Sequence, residues 1–238
     1  WSARWFDQGQ TEWINTYEND FGLEGYWSFD NGDATTDIGD DGVNYGTTFA
    51  SESGRTVATF DGVNDYIQIP DPSVLSGDTW TISHWIKTSA TSGRQDFFSK
   101  WYSSNGNYPS IGMGIVGGVL KAYYRGDNKN PVGVMTGPSI ANGEWHHIAY
   151  IKDSSEVRIY VDGSEVDQAA FSGTIPSTAD VVLGAWDGSI LEYAKDDYFA
   201  GSLDGLRIYS RPLDSSEVDA LYNSTTVAAP TLIGQWSF

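Results

Sequence analysis

The sequence contains no cysteine, so neither disulfides nor thiol chemistry can contribute to its stability or its reactions. Basic residues are scarce: 13 Lys and Arg stand against 32 Asp and Glu, a formal charge of −19. Such a field repels phosphate backbones and anionic headgroups, which makes nucleic acid and membrane surfaces poor partners. An acid excess with few lysines suits a halophilic chain kept in solution at high salt, where screening relieves self-repulsion. It equally suits a turn-rich β chain that carries Asp in its loops. No apolar run is long enough to insert into a membrane, and an opening on Trp1 reads as a processed or excised piece.

What the chain has in quantity is glycine, 27 residues, and short segments that alternate apolar and polar side chains. Tyr66–Ile69, Trp80–Ile86, Ile148–Ile151 and Val157–Val161 are the clearest strands. Asp162-Gly163, between Val157–Val161 and Glu165-Val166-Asp167, is the strongest hairpin signal. Many short strands at this spacing predict a sandwich or barrel. One helix is expected after Asp214, where Asp214-Ser215-Ser216-Glu217 fits a capping box and Val218, Leu221 and Tyr222 give an apolar face. Residues 1–21 are rich in Trp and Tyr without clean periodicity and form a separate N-terminal segment, either a helix around Thr11 to Tyr17 or an arm.

Four stretches occur in order: LEGYWSFD (23–30), FDGVNDYIQIP (60–70), GEWHHIAYIKDSSEVRIYVDG (143–163) and GSLDGLRIYSRPLDSSEVDAL (201–221). Together they resemble the laminin G-like domains of the concanavalin A-like lectin/glucanase superfamily, over about Leu23 to Tyr222. The resemblance implies an all-β fold: an antiparallel two-sheet jelly-roll sandwich with one short C-terminal helix, the domain occupying residues 22–226. Trp27, Phe29, Phe60, Trp85, Trp145 and Ile208 are its expected core residues. His146 and His147 belong to the family's strand pattern, and neighbours on a strand point to opposite faces, so they are read as structural.

Some members of the superfamily are glycanases with two glutamates flanking an aspartate on one strand. Here Glu165-Val166-Asp167 lacks the last carboxylate and Glu217-Val218-Asp219 falls on the expected helix, so no enzyme is predicted. No nucleophile elbow, HExxH or P-loop occurs either.

The loop DNGDATTDIGDDG (30–42) is dense in Asp, and calcium takes hard oxygens of this kind. The resemblance supplies a partner, Asp204 in GSLDGLR, and so implies a structural Ca²⁺ held by Asp30, Asp204 and carbonyls near Gly39 to Gly42; the alternative is a solvated acidic loop. Glu192, Asp196 and Asp197 match a rim calcium by position only. Aromatics make up 14% of the chain. Trp101, Tyr102 and Tyr108 lie in one polar loop, Tyr123 and Tyr124 precede Arg125, and Trp186 and Tyr193 lie in another loop. Rings stack on apolar faces of sugars, so these residues form the candidate ligand site, for carbohydrate or glycoprotein. A loop of this composition also fits a protein partner.

LEGYWSF (23–29) returns as LIGQWSF (232–238), matching at five of seven positions. After the linker-like STTVAAP (224–230), residues 227–238 read as the linker and first strand of a following tandem repeat, or as a strand donated to a copy of the chain. Three functions are therefore expected in order: a calcium-stabilised, non-catalytic lectin-like adhesion module of a secreted or cell-surface protein; a structural repeat contacting copies of itself; and an ancillary domain of a polysaccharide-degrading enzyme.

Overall fold

The computed structural model describes residues 21–52, 54–101, 110–126, 133–175, 178–186 and 197–223. The expectations for residues 1–20 and 224–238 lie outside the described residues. Within them the chain forms β1 (Leu23–Trp27), β2 (Val43–Tyr45), β3 (Thr48–Glu52), β4 (Arg55–Asp61) and β5 (Tyr66–Ile69). Next come β6 (Trp80–Lys87), β7 (Arg94–Trp101), β8 (Ser110–Val116), β9 (Val119–Arg125) and β10 (Gly133–Ser139). The last strands are β11 (Trp145–Lys152), β12 (Glu156–Val161), β13 (Ser164–Ala170), β14 (Val181–Leu183) and β15 (Ala200–Tyr209), followed by helix α1 (Ser215–Asn223).

Two antiparallel sheets result, as a jelly-roll sandwich requires. The first runs β13-β12-β11-β6-β15-β4-β3, and β1 joins it beside β4 along the second half of β15. The second runs β10-β9-β8-β7-β14-β5-β2. Their facing sides bury one core in which Trp80 meets Tyr150 edge to face at 5.1 Å and Phe60 lies against Phe199 at 5.9 Å. Between β12 and β13, Asp162 and Gly163 both take positive φ, 51° and 78°, the requirement of a two-residue turn whose twist matches its strands.

The first sheet is covered on its outer side too. Helix α1 lays Val218 and Leu221 on Ala149, Ile151, Tyr160 and Tyr209, making a second small core. Its start is fixed as the sequence foretold: Asp214 Oδ1 accepts the N–H groups of Ser216 and Glu217, and Glu217 Oε2 accepts the N–H of Asp214. This double cover corrects the inward assignment of Trp85 and Trp145. On β6 the inward residues are Trp80, Ile82 and Ile86. Trp85 pairs with Asp204 and His147 on the other face and contacts Tyr222 of the helix, and Trp145 shares that face. When both sides of a strand are apolar, alternation no longer identifies the core side.

The histidines part as expected for a strand. His146 bonds Asp162 and Asn142, while His147 lies beneath the helix with Nε2 on Ser83 Oγ at 2.9 Å. His84 points into the main core against Phe97. Burial pushes the imidazole pKa down to about 4 for His84 and about 3 for His147.

Both rings are therefore neutral in the fold yet take up a proton in the unfolded chain below about pH 6.5, so stability falls as pH drops from there. Asp96, pushed up to about 6 by its burial, and Asp204, also raised by burial, work in the opposite sense, while Asp33, Asp153, Asp214 and Glu217, lowered by their hydrogen bonds, add to the loss in acid. We expect net acid destabilisation to begin near pH 6.5, with His84 alone contributing on the order of 3 kcal/mol by pH 4. Urea unfolding at pH 7, 5.5 and 4.5 checks this, and His84→Leu should flatten the dependence; an unchanged slope in that variant would refute the assignment.

Candidate functional site

The outer face of the second sheet is set by its register. Val43, Gln68, Val182, Ser99, Gly112, Tyr123 and Val134 form one row across the seven strands. Two glycines in β8, Gly112 and Gly114, leave that part of the face without side chains, and the neighbouring β7 uses the space. A register shift between Asp96 and Phe98 puts both Phe97 and Phe98 in the core and leaves Asp96 on the outer side, opposite Gly114. A Cβ at position 114 would lie 2.0 Å from Asp96 Oδ1 and 2.8 Å from the carbonyl of Gln95, so only glycine lets the carboxylate lie across β8.

Asp96 is 2% exposed, and its charge is met by one arginine. Arg94 donates Nε to both carboxylate oxygens, at 3.2 and 3.0 Å, and Nη2 to Oδ2 at 2.7 Å. The same guanidinium lies over the ring of Tyr123 at 4.7 Å and that of Trp186 at 5.4 Å. Trp186 in turn meets Trp101 at 5.4 Å with the rings tilted by 56°. Below, the Asp96 N–H donates to the carbonyl of Asp197 at 2.9 Å, which ties this floor to the segment before β15. Burial raises the Asp96 pKa, the Arg94 bonds and charge oppose that rise, and Asp197 adds to it. The result is a half-buried patch of three aromatic rings held around a satisfied ion pair.

The expected ligand residues distribute unevenly over this geometry. Trp101 and Trp186 are brought into contact. Arg125 is on the same outer face, opposite Ser110. Tyr124 turns the other way and packs its ring on Phe171 at 5.0 Å against the core, because Leu120 and Ala122 have already fixed the inward phase of β9. Tyr102, Tyr108 and Tyr193 lie outside the described residues. Tyr123 is the one of the adjacent tyrosines that joins the patch; Arg94 and Asp96 escape a reading of the sequence, whose one signal is the Gly-x-Gly of β8, a place where a neighbour approaches closely. A second stacked pair, Tyr45 on Tyr66 at 4.4 Å, sits on the same face. Val182 and Ser99, buried between them and the first patch, keep the two apart.

Of the residues expected to hold calcium, Asp204 and Asp30 are held by consecutive residues of β4, Arg55 and Thr56, while Gly39 lines a cleft. Asp204 is 3% exposed on β15, and its Oδ2 accepts Arg55 Nη1 at 3.0 Å. Asp30 is exposed and accepts the N–H of Thr56 at 3.4 Å. Gly39, with φ of 106°, backs onto the carbonyl of Glu24 and helps line a cleft of about 170 Å³ with Trp27, Asp40 and Pro70. Among the described residues, no three His, Asp or Glu side chains stand together. These side chains do not fit a calcium ion between Asp204 and the loop, since a guanidinium already holds the carboxylate. Of the rim acids, Glu192 and Asp196 lie outside the described residues and Asp197 is engaged through its carbonyl.

A comparison with curated proteins finds no sequence relative. Solved structures do share the fold. Domain 4 of AbnA, a GH43 extracellular arabinanase from Geobacillus stearothermophilus, solved with arabinotriose, is 22% identical with a TM-score of 0.65, over 84% of this chain and 98% of that domain. The binding domain of botulinum neurotoxin DC in complex with SialylT is 11% identical with a TM-score of 0.68, over 88% of this chain and 53% of that one. The binding domain of Paraclostridial Mosquitocidal Protein 1 is 16% identical with a TM-score of 0.65, over 87% and 53%. This chain thus spans nearly all of the arabinanase domain and about half of each toxin domain. The family model Laminin_G_3 matches residues 61–219, two-thirds of the sequence, and the chain belongs to the laminin G-like family of the concanavalin A-like lectin/glucanases superfamily.

Proposed function

We propose that the chain is a non-catalytic carbohydrate-binding module of a secreted or cell-surface protein, and that it takes a glycan on the outer face of its second sheet. The observation that carries this reading is the grouping of Trp101, Tyr123 and Trp186 around the Arg94–Asp96 pair. Rings that are half-buried and mutually braced offer apolar faces to sugar rings at little entropic cost. The bonds from Arg94 to Asp96 run through Nε and Nη2, which leaves Nη1 to donate to a sugar hydroxyl.

Glycosidase chemistry needs two carboxyl groups facing one bond. Asp96 is locked by Arg94, Glu165 accepts from Tyr160, Asp167 accepts from the backbone of Thr136, and Glu217 caps the helix. Asp219 accepts from Asn223, so each of these carboxylates is committed to a structural bond. The arabinanase domain of the same fold favours a second form of the reading, an ancillary sugar-binding domain whose catalytic partner is a separate domain.

A glycan-array screen of the purified chain at high salt, with arabino-oligosaccharides and sialylated glycans among the probes, tests the proposal. We expect a defined sugar class to bind. Trp186→Ala and Tyr123→Ala should each weaken that binding roughly tenfold, the loss of about 1–2 kcal/mol of ring contact, while Tyr45→Ala on the separate patch leaves it unchanged. Silence of the wild-type chain on every glycan would remove the reading.

Gly114→Ala tests the floor beneath the site. Forcing a methyl group against Asp96 should lower stability by about 1–3 kcal/mol and loosen Arg94, so melting temperature and glycan affinity fall together. A variant that melts and binds like the wild type would show that the glycine is not needed.

A further inference from the structure

We propose that Arg55 is the resident cation of this domain, doing at Asp204 the work that a divalent metal ion would otherwise do, so that the fold is independent of calcium. The demand comes from Asp204, a carboxylate almost fully withdrawn from water on the outer face of β15. A charge in that position must be compensated by a partner of opposite sign or neutralised. It stands beside a register irregularity between Asp204 and Arg207, where β15 stops pairing with β4 and begins pairing with β1.

Arg55 meets the demand from the start of β4. Its Nη1 lies 3.0 Å from Asp204 Oδ2, and its guanidinium packs over the Trp85 ring at 5.6 Å, on the strand that pairs with Asp204 from the other side. The loop after β1 is drawn to the same place, since Asp30 accepts the N–H of the adjacent Thr56. A second guanidinium, Arg207, covers Tyr26 of β1 at 4.2 Å and donates to the carbonyl of Gly205. Arg55 therefore joins β4 to β15 and β6, Thr56 beside it holds the loop, and Arg207 holds β1, all with groups that are covalently part of the chain. Unlike a bound ion, they cannot be lost to a chelator.

Thermal unfolding of the full chain at fixed ionic strength tests this, with calcium, with magnesium and with a chelator. The expected result for the wild type is one melting temperature in all three buffers; a fall on chelation would overturn the proposal without recourse to any variant. Arg55→Ala should melt several degrees lower and recover in millimolar calcium, because the vacated place leaves Asp204 and Asp30 to an external cation. Arg55→Ala with Asp204→Asn should show no such recovery, which separates a site-specific effect from general screening of an acidic surface. Arg55→Lys, which keeps the charge, serves if the alanine variant does not fold, and should melt between wild type and alanine or with the wild type. An Arg55→Ala protein as stable as the wild type, or one that calcium cannot rescue, would likewise overturn the assignment.

Discussion

Two carboxylates, one on the outer face of each sheet, are taken out of water in a chain that carries 19 negative charges in excess. Asp96 and Asp204 are 2% and 3% exposed, and each is held by a single arginine that remains about one-third open to solvent. Burying a carboxylate is tolerable only if a cation comes with it. In both cases the guanidinium also lies on aromatic rings, Tyr123 and Trp186 for Arg94 and Trp85 for Arg55. A ring face strengthens a cation's position without competing for its hydrogen bonds, so each pair is fixed in orientation as well as in charge.

The few cations of this chain are spent in the same manner elsewhere. Lys100, with no exposed surface, closes one end of the sandwich against Asp71 and the carbonyl of Ala179. Lys152 caps the carbonyls of Asp153 and Phe171, and Arg211 clamps Glu217 with two bonds while its own Nε holds the carbonyl of Phe21. Basic side chains thus act as internal fasteners, and the exposed surface is left acidic. The acid excess that was legible as composition is the outer half of this arrangement. The placement of the basic residues is the inner half, and composition does not show it.

The parts of the structure that were readable in the sequence are those governed by neighbours in the chain. The Asp162-Gly163 turn, the Asp214–Glu217 cap and the strands around Tyr66, Trp80 and Val157 depend on residues within a few positions of each other. The errors arose where the third dimension decides. Trp85 reads as inward because its strand is apolar on both sides, and helix α1, far along the chain, is what makes the outer side apolar. Tyr123 and Tyr124 cannot be told apart in the sequence because two adjacent tyrosines carry no phase of their own; in the fold Tyr123 lies under Arg94 and Tyr124 against Phe171. Asp204, expected from the resemblance to ligate a metal ion, is buried and accepts a bond from Arg55, 149 residues away in the chain.

The two ion pairs differ in one respect, and that difference separates a binding surface from a structural lock. Arg94 uses two nitrogens on both oxygens of Asp96, so the carboxylate has little capacity left for a ligand and the surface is presented by rings. Arg55 makes a single bond to Asp204, and around it converge the backbone of Thr56, the Asp30 loop and the turn of β15 at Gly205. A saturated pair bordered by half-buried aromatic rings is preorganised to receive a molecule with apolar faces of its own. A singly bonded pair surrounded by backbone is organised to hold strands. The glycines of β8 decide which of the two forms on the second sheet, since any side chain at position 114 would push Asp96 away and leave Arg94 without the partner that keeps it flat against Tyr123.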